Sequence, residues 1–239
     1  MTDMIHDSRP CVLLDIDDTI LDFHKAERLA VAKTFDRLGV RADEAVISRY
    51  SEINQRHWEL LEAGLLTRSQ VLLGRFTQLF SELGSPAAPE LAQEIYEGLL
   101  AEGHYFMFGA EAMLEELYGG YRLFICSNGS ATVQAGRIKS AGIARYFERI
   151  FMSEEIGCDK PDPAFFRACF SEIPDFEPDR AIMIGDSLTS DIRGGKNAGI
   201  MTCWYNPRGK TAGADCLPDF EVDSLSKLRP LLDRLFGSV

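Results

Sequence analysis

Acidic side chains follow the first apolar run of the chain. Residues 11–16 read CVLLDI, and the segment DIDDT at the end of this run carries Asp15 and Asp17. Alternation along a strand places these two carboxylates on one side, where they repel each other. Both can stay ionised beside a cation; without one, the pKa of a carboxyl group shifts. An Asp-rich turn that caps a helix has the same composition, so this segment alone leaves both interpretations open.

Two further polar segments could bind an anion. Ser127, Asn128 and Gly129 follow the second apolar run and combine a hydroxyl group with backbone N–H groups at the start of a helix. Such groups suit an anion, although a simple strand-to-helix turn has the same pattern. Lys160 follows a third run, in a loop before Pro161. A lysine there is usually a solvated surface residue, but its position also fits phosphate binding or charge balance.

A fourth polar segment adds two more acids. GDSLTSD contains Asp186 and Asp191 and again follows an apolar run. If these runs are strands of one parallel sheet, four carboxylates converge on one edge. That arrangement would be very costly without a metal and a lysine. Carboxylate oxygens are hard ligands, so the four acids indicate Mg²⁺.

Short apolar runs and the helical patterns between them must position these groups. Their alternation implies right-handed βαβ units and a mostly parallel sheet, in which ligands bind at the carboxyl ends of the strands. Strands are predicted over 11–16, 122–127, 149–152, 180–185 and 200–204. Helices are predicted over 110–118, 130–141, 162–170, 190–198 and 223–236.

The region between residues 24 and 107 interrupts this alternation with helical patterns throughout. Thr67 and Gln70 form a capping-box pattern, and Asp43 could begin a helix after the turn LGVRA. A block of helices between the first and second strands predicts an inserted helical subdomain. The predicted helices are 24–38, 43–63, 67–83 and 88–105.

Composition narrows the classes of function. The chain has 239 residues, a net charge of −12 and 46% hydrophobic residues. An acidic balance disfavours nucleic acid or an anionic membrane as the main partner. No run approaches the roughly 20 apolar residues of a membrane span, and the first ten residues do not have the pattern of a signal peptide. The six cysteines show no zinc spacing, and we expect reduced, buried thiols in a cytoplasmic protein.

Taken in order, the Asp, Ser, Lys and Asp segments resemble the haloacid dehalogenase superfamily. The resemblance extends from VLLDIDDT through EEIGCDKPDPAFF to GDSLTSDIRGGKNAGIMTCWYNP, nearly the whole chain. It implies an α/β, Rossmann-like parallel sheet with an inserted α-helical cap of the type-1 kind. The implied core domain is 1–22 with 108–239, and the implied cap is 23–107. The segment Phe106–Gly109 departs from the Pro-Gly turn of many relatives, which puts the local turn geometry in question.

The resemblance also implies catalytic roles. Asp15 matches the nucleophile that attacks phosphorus, and Asp17 matches the general acid and base. Ser127 and Lys160 match the groups that hold the phosphoryl oxygens. The implied Mg²⁺ ligands are Asp15, the backbone carbonyl of Asp17, and Asp186. The supporting positions are Thr19, Asn128, Gly129 and Asp191, the last of which would support the metal's water shell or Lys160.

Asp17 favours a phosphatase, since the dehalogenases of the superfamily lack a second Asp at this position. The segments EEIGCDKPDPAFF and GGKNAGIMTCWYNP, with several cap residues, resemble the pyrimidine and noncanonical-pyrimidine 5′-nucleotidases. A nucleoside monophosphate is therefore the expected substrate. The cap residues that could contact the nucleoside are His24, Asn54, Trp58 and Arg75. A tryptophan in an amphipathic helix is more often core packing, and an arginine is more often solvated or salt-bridged.

Other functions stay open from sequence. A phosphoglycolate or sugar-phosphate phosphatase would carry the same core residues. A phosphomutase would need an added acid–base group in the cap, and a non-catalytic binding protein would not need the intact set of acids and lysine. A cap that closes over small substrates would exclude polymers. We therefore expect a small phosphomonoester as partner, no nucleic-acid polymer and no membrane, and a monomer or homodimer.

Overall fold

The computed structural model describes residues 7–237. Its contacts divide the chain into two compact units. The helical unit comprises Phe23–Tyr105 and Thr132–Ala141, and the sheet unit comprises the rest of the described chain. The domain division predicted from the sequence stays a prediction, and its ends at 1–6 and 238–239 lie outside the described residues.

A parallel sheet forms the centre of the sheet unit. Its strand order is β3-β2-β1-β4-β5-β6, and every neighbouring pair is parallel. β1 lies in the middle, paired with β2 on one side and β4 on the other. The predicted α/β parallel-sheet fold is therefore confirmed. The strands are β1 Cys11–Leu14, β2 Arg122–Ser127, β3 Arg149–Met152, β4 Ala181–Gly185, β5 Met201–Tyr205 and β6 Phe220–Val222.

Burial on both faces explains why the central strands are almost continuously apolar. Every residue of β1, β2 and β4 is buried. The sequence did not predict β6, because only three residues pair there and they alternate in burial at the sheet edge. Since the carboxyl ends of β2, β1 and β4 lie side by side, the polar segments that follow them meet at one edge of the sheet.

Helices follow the strands and fill the inserted region. Those of the helical unit are α1 Phe23–Leu38, α2 Glu44–Glu62, α3 Arg68–Leu83, α4 Pro89–Ala101 and most of α6 Ala131–Ala141. Those of the sheet unit are α5 Ala110–Leu117, α7 Ser153–Ile156, α8 Pro163–Ser171, α9 Arg193–Ala198 and α10 Leu228–Phe236. No helix in the described part of the chain combines the length and apolar character that a membrane crossing requires.

Local signals place several helix ends. Asp43 accepts a hydrogen bond from Val46 N–H at the start of α2, and Thr67 and Gln70 form the predicted capping box of α3. The helix predicted from Asp223 begins later, as a 3₁₀ turn at Leu225–Lys227 followed by α10. The later start leaves Pro230 in the first turn of α10, where a missing N–H costs nothing.

Two other predicted ends differ from the structure. The fourth inserted helix ends at Ala101 rather than 105, because the chain turns at Gly103, whose N–H bonds to the carbonyl of Leu100. The predicted helix 190–198 starts with a π-helical turn, Leu188–Ile192. In the segment Phe106–Gly109, where many relatives have a Pro-Gly turn, Gly109 adopts a left-handed φ of 83° and caps α5. Glycine pays no Cβ penalty there.

Aromatic residues dominate the core of the helical unit. The rings of Phe35, Tyr50, Phe76, Phe80 and Tyr96 pack against one another with centroid distances of 5.0–6.2 Å. They come from α1, α2, α3 and α4, so one aromatic cluster joins all four helices. The helical unit therefore has its own hydrophobic core, separate from the core that surrounds the sheet.

Candidate active site

Asp15 lies directly after β1. Its backbone N–H donates to the carbonyl of Ile184 at 2.9 Å, which continues the ladder between β1 and β4 by one residue. The side chain is held at the edge of the sheet, and the residue is only 7% exposed. The next residues form a tight turn, in which Asp18 takes a φ of 54° and Asp17 bridges to Leu21. The turn keeps Asp17 partly exposed close to the buried Asp15.

Lys160 connects three groups at this edge. Its Nζ donates to Asp15 Oδ1 at 2.8 Å, to Asp191 Oδ1 at 2.6 Å and to the carbonyl of Cys126 at 2.6 Å. An ammonium group has three N–H donors, so all three are used. Burial opposes the charge on Lys160, but the Asp15 and Asp191 carboxylates raise its pKa above the ordinary 10.5. The site therefore holds a fixed positive charge beside Asp15.

The side chain of Asn128 holds the main chain at Lys160. Asn128 Nδ2 donates to the carbonyl of Lys160, and Lys160 N–H donates to Asn128 Oδ1, both at 2.9 Å. Ser127, the last residue of β2, is 1% exposed and its Oγ accepts from Gly129 N–H at 3.1 Å. The predicted segment after β2 thus contacts the predicted lysine loop directly.

Asp191 is held by the π-helical turn that follows β4. Its Oδ1 accepts from Lys160, and its Oδ2 accepts from Ser187 N–H at 3.1 Å. Gly185 makes this position possible, because a Cβ atom added to it would lie 2.1 Å from Asp191 Oδ2. Sequence reasoning identified Asp191 but not the need for glycine at 185, since the close approach depends on tertiary packing.

Carboxylates of Asp15, Asp186 and Asp191 form a compact group. One oxygen from each lies within 4.8 Å of the others. Burial raises the pKa of Asp15 above its ordinary value, with Lys160 acting in the opposite direction. Burial and the neighbouring acids also raise the pKa of Asp186 well above its ordinary value. The positive charge of nearby protein groups is thus insufficient to offset the three carboxylates. Their oxygen atoms form a set of ligands that fits a hard cation such as Mg²⁺.

Of the predicted metal ligands, the structure brings together Asp15 and Asp186. The carboxylate of Asp191 lies in the same group and accepts from Lys160 and from Ser187 N–H. Thr19 is fully buried within the turn after Asp15. A ligand role for the carbonyl of Asp17 stays a prediction.

Two of the predicted substrate contacts, Asn54 and Arg75, lie in a buried polar network of the helical unit. Arg75 is 3% exposed and donates to Asn54 Oδ1 at 2.7 Å and to Gln93 Oε1 at 2.9 Å. Asn54 in turn donates to Glu27 Oε1 at 2.6 Å. In this structure the network fastens α1, α2, α3 and α4 to one another. The sequence did not reveal it, because charged residues in amphipathic helices usually face solvent.

The other two predicted contacts, Trp58 and His24, are partly exposed. The guanidinium carbon of Arg68 lies 5.6 Å from the centroid of the Trp58 ring, in a cation–π arrangement. His24 is the second residue of α1. A role for either residue in substrate binding stays a prediction.

The sequence is similar to those of known proteins along most of its length. The family described as haloacid dehalogenase-like hydrolase matches residues 10–199. The HAD-hydrolase YfnB of Bacillus subtilis strain 168 is 37% identical over 222 residues, which cover 93% of this chain and 94% of YfnB. The chain belongs to the haloacid dehalogenase-like hydrolases. The superfamily expected from the sequence is thereby confirmed, and so is the expectation of an enzyme.

Other comparisons place this haloacid dehalogenase-like hydrolase among phosphatase relatives. Pyrimidine 5′-nucleotidase PynA of Streptococcus pneumoniae R6 is 34% identical over 224 residues, covering 93% of this chain and 94% of PynA. Pyrimidine 5′-nucleotidase YjjG of Escherichia coli K12 is 28% identical over 221 residues, covering 92% and 96%. The crystal structure of YfnB bound to magnesium matches with a TM-score of 0.90 at 36% identity, covering 94% of this chain and 99% of that one.

Proposed function

We propose that this hydrolase is a Mg²⁺-dependent phosphatase that removes phosphate from pyrimidine nucleoside 5′-monophosphates through a phosphoryl group carried on Asp15. The observation that carries the chemistry is the buried Asp15 carboxylate, which accepts a hydrogen bond from Lys160 and lies with Asp186 and Asp191 within 4.8 Å. The similarity to PynA and YjjG supports the substrate class.

Asp15 and Asp17 divide the chemistry in this proposal. An oxygen of Asp15 forms a bond to phosphorus as the ester P–O bond breaks, and Asp17 gives a proton to the leaving nucleoside oxygen. A water molecule then attacks the phosphorus of the aspartyl phosphate and gives a proton to Asp17. The Asp15–phosphorus bond breaks, which releases phosphate and restores both carboxyl groups. The turn leaves Asp17 partly exposed beside Asp15.

In this scheme Ser127 holds the phosphoryl group, and Lys160 supplies positive charge beside it. Lys160 is fixed by three acceptors and by the Asn128 contact to its main chain, so its charge needs little reorganisation during transfer. Fixed charge next to a transferring phosphoryl group is the main source of catalysis for this reaction. Ser127 ends β2 at the same edge and supplies a hydroxyl group for a phosphoryl oxygen.

The acidic group is the proposed metal site. Asp15 and Asp186 would hold Mg²⁺ with the carbonyl of Asp17, and Asp191 would orient Lys160 and the Ser187 backbone beside them. When bound, Mg²⁺ supplies positive charge that offsets the clustered carboxylates and the phosphoryl oxygens.

Phosphate release from a panel of substrates tests the proposal. The panel contains UMP, dUMP, dTMP, CMP, AMP, GMP, 5-halogenated dUMP, phosphoglycolate and several sugar phosphates, each with Mg²⁺ and with EDTA. We expect the highest kcat/KM for pyrimidine monophosphates and loss of activity in EDTA that added Mg²⁺ restores. Preference for phosphoglycolate or a sugar phosphate would contradict the proposed substrate class but not the proposed mechanism. Undiminished turnover in EDTA would contradict the metal assignment.

A pair of variants tests the nucleophile. Asp15→Asn removes the attacking carboxylate and should abolish turnover. Asp18→Asn is the matched control from the same turn, since asparagine accepts the left-handed φ of 54° found there. Near-normal rates for Asp15→Asn would exclude a covalent role for Asp15.

A further inference from the structure

Trp204 lies next to the acidic cluster without belonging to it. The residue is in β5, opposite Gly185 of β4, and is 1% exposed. Its indole N–H donates to the carbonyl of Asp186 at 2.8 Å. A buried indole N–H needs an acceptor. Here the acceptor is the main chain of a proposed metal ligand, one residue beyond the end of β4.

The same peptide unit is held on its other side. The N–H of Ser187, which shares a peptide bond with the Asp186 carbonyl, donates to Asp191 Oδ2 at 3.1 Å. Because a peptide unit is planar, bonds to its C=O and its N–H together fix its orientation. That orientation sets the backbone torsion angle that follows the Cα of Asp186. It therefore constrains the main chain that carries the Asp186 carboxylate.

We propose that Trp204 is a positioning residue for the metal site, and that its indole N–H sets the affinity for Mg²⁺ by fixing the Asp186–Ser187 peptide. This inference rests on the proposed function, because it takes the acidic cluster to be the Mg²⁺ site. Groups that orient metal ligands without touching the metal contribute strongly to affinity in other sites. The geometry assigns that contribution to a tryptophan on the neighbouring strand, acting through main-chain atoms.

The test compares Mg²⁺ binding in the substrate-free protein by titration calorimetry. Trp204→Phe keeps an aromatic ring and removes the N–H donor. Cys203→Ala is the control, because Cys203 is the preceding residue of β5 and is also fully buried. We expect Mg²⁺ to bind Trp204→Phe roughly fivefold more weakly, from the loss of one hydrogen bond of ordinary net strength, and to bind Cys203→Ala as it binds the wild type.

A kinetic measurement separates positioning from general damage. In Trp204→Phe the Mg²⁺ concentration for half-maximal phosphate release should rise, whereas kcat at saturating Mg²⁺ should change little. Benzothienylalanine at position 204 exchanges only the N–H for sulfur, so it keeps the packing of the ring. It should reproduce the weaker Mg²⁺ binding even if Trp204→Phe folds poorly.

Two results would overturn the inference while leaving the proposed function intact. One is unchanged Mg²⁺ affinity in the benzothienylalanine protein, and the other is equal weakening in Cys203→Ala, which would assign the effect to packing. Failure of the wild-type protein to bind Mg²⁺ would instead refute the proposed metal site, and the role of Trp204 with it.

Discussion

Replacing Arg75 with alanine should destabilise the helical unit by about 3–5 kcal/mol, the usual effect of removing one partner from a buried charged network. Arg75 Nη1 and Nη2 donate to Asn54 and Gln93, and its guanidinium carbon lies 4.8 Å from the centroid of the Tyr96 ring. Through Asn54 the network reaches the buried carboxylate of Glu27. Alanine leaves these acceptors buried without their charged donor.

The magnitude follows from the contacts. Each hydrogen bond from a charged donor contributes about 1.5–3 kcal/mol, and Arg75 makes two such bonds at or below 2.9 Å. Their sum, roughly 3–6 kcal/mol, agrees with the range for a broken buried network. For a chain of this size, 1 kcal/mol corresponds to about 2–4 °C in Tm. Arg75→Ala should therefore lower Tm by roughly 10 °C.

Urea unfolding followed by circular dichroism measures this effect. Arg56→Ala is the matched control, because the Arg56 side chain is 67% exposed and its ion pair with Glu59 lies at the surface. Its free energy of unfolding should stay within about 0.5 kcal/mol of the wild type. A wild-type urea midpoint for Arg75→Ala, together with a raised KM for nucleotides, would refute the structural account and make Arg75 a substrate contact.

Three further predictions concern the site and the helical unit. Lys160→Met should reduce kcat for phosphate release by about 100-fold or more, because it removes fixed charge from the phosphoryl site. Gly185→Ala should reduce kcat by about 100-fold, because its Cβ would displace Asp191. Gly98→Ala is the control, since the added Cβ meets no atom within 4 Å, and it should stabilise α4. Burial raises the pKa of Glu27 above 4.5, so the folded state binds its proton more tightly than the unfolded state. The free energy of unfolding of the wild type, compared with that of Glu27→Gln, should therefore decrease as the pH rises from 4.5 through the folded-state pKa of Glu27. Urea unfolding at a series of pH values measures this difference.

Each of these predictions has a contrary result. Near-normal kcat in Lys160→Met would show that the lysine is not needed for phosphoryl transfer. Equal activity in the two glycine variants would show that Asp191 can move without effect. A difference between wild type and Glu27→Gln that does not vary with pH would mean that Glu27 has the same pKa in the folded and unfolded states.

Short strands with polar ends made much of the sheet unit predictable. Residues 122–127 and 149–152 form strands with the predicted bounds, because each is a short, mostly apolar run that pairs in the sheet. Parallel strands bring their carboxyl ends together. Position along the chain was therefore enough to associate Asp15 with Lys160, although 145 residues separate them.

Tertiary contacts account for what the sequence did not predict. Arg75 and Glu27 occur at helix positions that could equally face solvent, and only the packing of four helices shows that they are buried. Chain order alone does not show that residues 132–141 cluster with the helical unit, where a Cβ on Gly136 would lie 2.9 Å from the carbonyl oxygen of Ala101. The hydrogen bond from Trp204 joins two neighbouring strands through side chain and main chain, and no motif records it.

Transfer of a phosphoryl group to Asp15 is the step on which the proposed mechanism depends. The most direct test mixes enzyme and Mg²⁺ with UMP labelled in its phosphate, stops the reaction with acid within the first turnover, and maps the label by peptide mass spectrometry. We expect an acid-stable, hydroxylamine-sensitive phosphoryl group on the peptide that contains Asp15, and none in Asp15→Asn. Rapid phosphate release with no labelled peptide at any time in the first turnover would contradict it.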